Sequence, residues 1–120
     1  MTDDPTRWVR LAAAAAAAKT DAETVVLDVG DVLSITGWFV VTSGNSNRQV
    51  RAIAEGIEER LTDEGGPKPV RIEGLDDASW VLMDFGDMIV HVFDTESREY
   101  YDIERLWRDV PVLDWMADPA

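Results

Sequence analysis

A chain of 120 residues, 46% of them hydrophobic, is long enough for one buried core and too short for two. Its 24 acids against 11 lysines and arginines give a net charge of −13, which opposes nonspecific attraction to nucleic acid and favours a basic partner, and its lack of cysteine rules out disulfides and thiolate metal sites. No run reaches the ~18 apolar residues of a membrane span, and the acidic start MTDDP resembles neither a leader nor a transit segment, so a soluble cytoplasmic protein is expected.

Asp4 before Pro5 reads as an N-cap with proline at the first helical position, opening a helix that runs to about Lys19. Its seven consecutive alanines, Ala12 to Ala18, favour the helix but bury little area, so Trp8, Val9 and Leu11 must anchor it. Thr24 to Val29 is a β-branched strand ended by Gly30-Asp31, and Trp38 to Thr42 is a second. The segment between them, 32–36, is ambiguous. Ser46 with Gln49 three residues on forms a capping box, after which Val50, Ile53, Ala54, Ile57 and Leu61 fall on one helical face until Gly65-Gly66-Pro67 stops it. Val70 to Glu73 is a short edge strand.

The run from Trp80 to Phe93 is two apolar strands joined through Gly86-Asp87, a two-residue hairpin signal. With those two residues as the loop, Phe85 pairs with Met88, Met83 with Val90 and Val81 with Val92. Trp80, Leu82, Asp84, Ile89, His91 and Phe93 share the opposite face. Both faces are mostly apolar, so both need cover from helices, from other parts of the chain or from a partner. Asp94 or Thr95 can cap a short helical turn, and Ile103 to Trp107 forms another. From Val110 to Ala120 the chain reads as an acidic tail whose one adhesive residue is Trp115, leaving residues 1–109 as the domain. The order of elements predicts a single α/β domain with a mixed sheet flanked by helices.

Several residues invite functional readings. Ser43-Gly44-Asn45-Ser46, between a strand and a capped helix, sits where a phosphate would meet helix amides, with Arg48 and Arg51 nearby. The following strand, Val70-Arg71-Ile72-Glu73, carries one acid and one arginine in place of the two carboxylates that nucleotidyl-transfer metals require. His91, the single histidine, has no nucleophile placed beside it, and reads as a strand histidine bonded to backbone or to a carboxylate, with Asp84 or Tyr101 as partners. General burial tendencies make Trp80 core filling, whereas Phe85 beside the turn is expected to be more exposed.

A wider pattern unites these pieces: Ser43-Gly44-Asn45-Ser46-Asn47-Arg48-Gln49-Val50, Glu73-Gly74 with Trp80, Asp84-Phe85-Gly86-Asp87 with Val90-His91-Val92-Phe93, and Arg98, Tyr101, Glu104, Leu106 and Trp107. In these residues the chain resembles the ribosomal silencing factor, or Iojap-like, family. The resemblance implies a nucleotidyltransferase-like fold without the catalytic carboxylates, no enzyme activity, and neither cofactor nor metal. It implies a homodimer whose partner is large-subunit ribosomal protein number fourteen, and a function of repressing translation by blocking association of the two ribosomal subunits. The implied contact uses Trp80, Asp84, Phe85, Gly86, Asp87 and Met88, supported by Glu73, His91, Arg98 and Tyr101. Phe85 stands where the family commonly has leucine. Since a two-residue turn puts Trp80 and Phe85 on opposite faces, either the turn is wider or Phe85 reaches the partner from the tip. The reading from another class is a nucleotide-binding or nucleotidyl-transferring enzyme using Ser43 to Arg48.

Overall fold

A computed structural model describes residues 4–117. The acidic start before Asp4 and the last three tail residues lie outside them. One six-stranded sheet, in the order β3-β4-β5-β2-β1-β6, organises the chain. Its strands are β1 (Val25–Asp28), β2 (Trp38–Gly44), β3 (Arg71–Glu73), β4 (Trp80–Asp84), β5 (Met88–Asp94) and β6 (Val112–Leu113). The helices are α1 (Arg7–Ala17), α2 (Asn47–Asp63), α3 (Thr95–Tyr101) and α4 (Ile103–Leu106). β2 and β5 run parallel while the other pairings are antiparallel, so the sheet is mixed as expected.

The hairpin forms in the expected register, with Val81 opposite Val92 and Met83 opposite Val90. The Phe85 amide donates to the Met88 carbonyl at 2.9 Å, closing a two-residue turn in which Gly86 takes φ 88°. Positive φ at the first loop position alone is the pattern of a turn whose twist matches the flanking strands. Alternation then sorts the side chains. Val81, Met83, Phe85, Met88, Val90 and Val92 lie in the larger core with α1 and α2, whereas Phe93 joins Leu27, Val29, Phe39, Val41 and Ile103 in a smaller core beneath α3 and α4.

The alanine run serves close approach. Ala12, Ala13 and Ala16 are fully buried, and Val9 with the partly buried Trp8 and Leu11 supplies the bulk that anchors α1. Asp4 does not cap this helix. Its carboxylate accepts from both the amide and the hydroxyl of Thr6, which moves the helix start to Arg7. Ser46 does cap α2, accepting from the Gln49 amide at 3.1 Å, and Gln49 reaches back to the Asn45 amide. Val50, Ile53, Ala54, Ile57 and Leu61 form its buried stripe, as the spacing requires.

The segment after Asp109 is not a free tail. Val112 and Leu113 pair with Leu27 and Val26, and the Asp28 amide donates to the Pro111 carbonyl. Trp115 seats its indole N–H on the Thr24 carbonyl at 2.8 Å, and Arg10 donates to the carbonyls of Asp114 and Ala117. Asp114 is exposed, but backbone groups and one tryptophan fasten the segment to the edge of β1. Residues 110–117 therefore belong to the domain.

Candidate functional site

The smaller core covers only part of its sheet face. α3 and α4 bring Ile103, Tyr101 and Trp107 over the ends of β5 and β2, and the Phe39 ring meets Trp107 edge-on at 5.3 Å. Nearer the β3 edge, Trp80, Leu82 and Ile89 remain half-buried, and Leu82 belongs to neither core. Register sets these side chains side by side, since Leu82 faces His91 and Asp84 faces Ile89. Glu73 and Arg71 border them from β3, opposite Leu82 and Asp84. The result is an apolar strip rimmed by two acids and one arginine.

Trp80 is neither loose nor fully core. Its ring lies 4.7 Å from Tyr101 and 5.0 Å from Phe93, and its indole N–H donates to His91 Nδ1 at 3.1 Å. That bond gives His91 its role, and neither Asp84 nor Tyr101 is its partner. Because Nδ1 accepts, the imidazole carries its proton on Nε2, which is buried and meets no hydrogen-bond partner among the described residues. Burial drives the histidine pKa down from 6.5 to about 4. At neutral pH His91 is thus an uncharged acceptor that fixes the indole, packed edge-on against Phe39 at 4.7 Å.

Arg98 holds the other side of this arrangement. Its guanidinium donates to Glu104 at 2.8 Å, to the Ser43 hydroxyl at 3.0 Å and to the Glu23 carbonyl. Only 15% of its side chain is exposed, so it clamps α3 to the end of β2 and keeps Tyr101 against Trp80. Gly74 matters as well. It has φ 90°, and a Cβ there would lie 2.1 Å from the Trp80 carbonyl oxygen, so only glycine lets the loop pass the start of β4.

Around the hairpin tip the residues serve different ends. The Asp84 carboxylate accepts from the Gly86 amide at 2.9 Å and stands 3.8 Å from Arg71, which is also 4.0 Å from Glu73. The Asp87 carbonyl accepts from the amides of Gly37 and Trp38, tying the tip to β2. Phe85 and Met88 are buried on the helix side, at 7% and 3% exposure, and the expectation of an exposed Phe85 is not met. Alternation carries Phe85 onto the face of Met83, where Trp8, Trp38 and the Gly65-Gly66-Pro67 bend line a cleft with it. Trp80 and Phe85 thus stand on opposite faces, as the two-residue turn requires.

The Ser43 to Arg48 loop is occupied by its own chain. Ser43 accepts from Arg98 and, through its carbonyl, from Thr20, while Ser46 caps α2 and Thr95 donates to the Gly44 carbonyl. Arg51 turns to the carbonyls of Leu75 and Asp76 and so fastens the loop after β3. On β3, Arg71 stands between Glu73 and Asp84, where a metal-binding carboxylate pair would need an acid. Motif reading left out Leu82 and Ile89, although alternation alone puts them beside Trp80. It also left out Trp8, Trp38 and Pro67, which gather around Phe85 from three separate parts of the chain and carry no shared local signal.

Fold and site together define an acidic α/β domain built on a mixed sheet, with α1 and α2 over one face and, beside α3 and α4, an incompletely covered apolar strip on the other. The family model described as "Ribosomal silencing factor during starvation" matches residues 2–119, and the chain belongs to that family. It is 41% identical to ribosomal silencing factor RsfS of Bacillus subtilis over 88% of this chain and 89% of that one. It is also 35% identical to the mouse protein named mitochondrial assembly of ribosomal large subunit protein 1, over 68% of this chain and 37% of that longer one. A crystal structure from Chromobacterium violaceum superposes with a TM-score of 0.81 at 33% identity, covering 98% of this chain and 97% of that one.

Proposed function

We propose that this protein is a noncatalytic translational repressor of the cytoplasm. It binds ribosomal protein number fourteen on the large subunit and, by occupying that surface, keeps the small subunit from docking. The observation that carries the reading is the strip of Trp80, Leu82 and Ile89, left half-buried and bordered by Asp84 and Glu73. An aromatic anchor beside aliphatic neighbours with a charged rim is a usual composition of a protein interface. A net charge of −13 favours encounter with a basic ribosomal protein and disfavours the RNA around it. Family membership and the large-subunit name of the mouse relative point the same way.

Within this reading Asp84 and Glu73 steer, Trp80 anchors, and His91, Arg98 and Tyr101 hold Trp80 in place. Gly86 and Asp87 act from the exposed tip, and Phe85 and Met88 support it from the helix side. Repression then needs no bond made or broken. The test is subunit joining: purified protein is added to separated large subunits, small subunits follow, and joined ribosomes are measured on a sucrose gradient. The proposal expects dose-dependent loss of joined ribosomes with the protein travelling in the large-subunit fractions. Unchanged joining at saturating protein refutes it.

A further inference from the structure

We infer that the cleft under the hairpin tip is a pocket for an arginine or lysine side chain of a basic protein, a second point of attachment that rests on the ribosome-binding reading above. The cleft measures about 350 Å³, at the small end of the ~300–1,000 Å³ typical of ligand sites. Trp8, Trp38, Phe85 and Pro67 line it, and among the described residues Asp87 is the one ionisable residue that does so. Aromatic rings together with one carboxylate suit a cation, because the ring faces and the acid attract the same charge. Trp8 already shows that preference within the chain. The Arg7 guanidinium carbon lies 4.4 Å from its ring centroid, and Arg7 does not line the cleft.

The walls are fixed before any ligand arrives. A Cβ on Gly66 would come within 2.8 Å of the Trp8 ring, so the indole rests directly on that backbone. Gly37 and Trp38 hold the Asp87 carbonyl at 2.9 and 3.2 Å, which anchors the backbone that carries the carboxylate. Phe85 is packed into the larger core. An anionic ligand would meet Asp87 and the field of a −13 chain, which disfavours phosphate groups and favours a basic protein side chain as the occupant. Phe85 thereby gains a place in the interface although it faces away from Trp80.

The test needs no ribosome. Indole N–H signals of the full ¹⁵N-labelled protein, assigned by single Trp→Phe substitutions, are followed while N-acetyl-arginine methylamide is added. The citrulline analogue, equal in shape but neutral, is the second probe. Saturable shifts of Trp8 and Trp38 are expected with arginine, with Trp80 and Trp107 on the other face unmoved. Citrulline should bind about fivefold more weakly, and Asp87→Asn should weaken arginine by about the same factor. Equal binding of the two probes, or no saturable shift at Trp8 and Trp38, overturns the inference. Large-subunit cosedimentation of Trp80→Ala reports separately on ribosome binding. A failed titration with Trp80-dependent cosedimentation intact therefore sinks the pocket alone.

Discussion

Replacing Trp80 with alanine separates an interface residue from a packing residue, because the structure gives it a share of both roles. The half-buried ring stacks near Tyr101 and Phe93, so truncation uncovers on the order of 100 Å² of apolar contact, or about 2.5 kcal/mol at the usual coefficient. Losing the 3.1 Å indole bond strands His91 Nδ1 and adds about 1 kcal/mol. Folding stability should therefore fall by roughly 3.5 kcal/mol, enough to lower the melting temperature without unfolding the chain at low temperature. Binding should fall independently. An aromatic anchor contributes ~2 kcal/mol or more, so affinity for large subunits should drop by ~30-fold. Urea unfolding and ribosome cosedimentation of the same variant, run cold where it stays folded, measure the two effects apart. Trp80→Phe, which keeps the stacking and loses the indole N–H, should recover most of the binding. A Trp80→Ala protein that loses stability as described yet cosediments like the wild type refutes the interface role.

Gly74→Ala should cost about 3 kcal/mol or more, because the new methyl meets the Trp80 carbonyl at 2.1 Å in a backbone held at φ 90°. A urea midpoint close to that of the wild type would show that the loop yields freely. Ser46→Ala should cost about 1 kcal/mol through the lost cap and leave ribosome binding unchanged, and weakened binding at normal stability would make that loop functional after all. His91 gives a pH signature. Its folded pKa, about 4, lies below the unfolded 6.5, so the unfolded chain takes up the proton first as pH falls, and stability drops between pH 6.5 and 4. At pH 5 the loss from this group is about 2 kcal/mol, and His91→Gln should flatten the stability profile by that amount. Parallel profiles for the two proteins would show that His91 is protonated while folded.

What the sequence makes legible is local or periodic. Gly86 announces its turn because few other residues tolerate positive φ, and period-two alternation from Val81 to Phe93 then assigns every strand side chain to a face. The Ser46 cap is legible for a similar reason, since both of its partners lie within one helical turn. The remainder depends on contacts distant in sequence. Two residues, Val112 and Leu113, become a strand only because β1 offers a free edge about 85 positions earlier, and nothing in a Val-Pro-Val stretch announces this. Asp4 has the composition of a cap, but its carboxylate is satisfied by Thr6 before the helix begins. The Trp80–His91 bond joins diagonal neighbours across two strands. Alternation places them on one face, and only the structure shows that the polar edges of the two rings meet.

The contact itself offers the most direct test. A photoreactive benzoylphenylalanine placed at Leu82, in the open strip beside Trp80, is irradiated with purified large subunits, and the cross-linked product is identified by mass spectrometry. A single major product with ribosomal protein number fourteen is expected, suppressed by an excess of unlabelled wild-type protein. Cross-links spread over ribosomal RNA or confined to another ribosomal protein would contradict it.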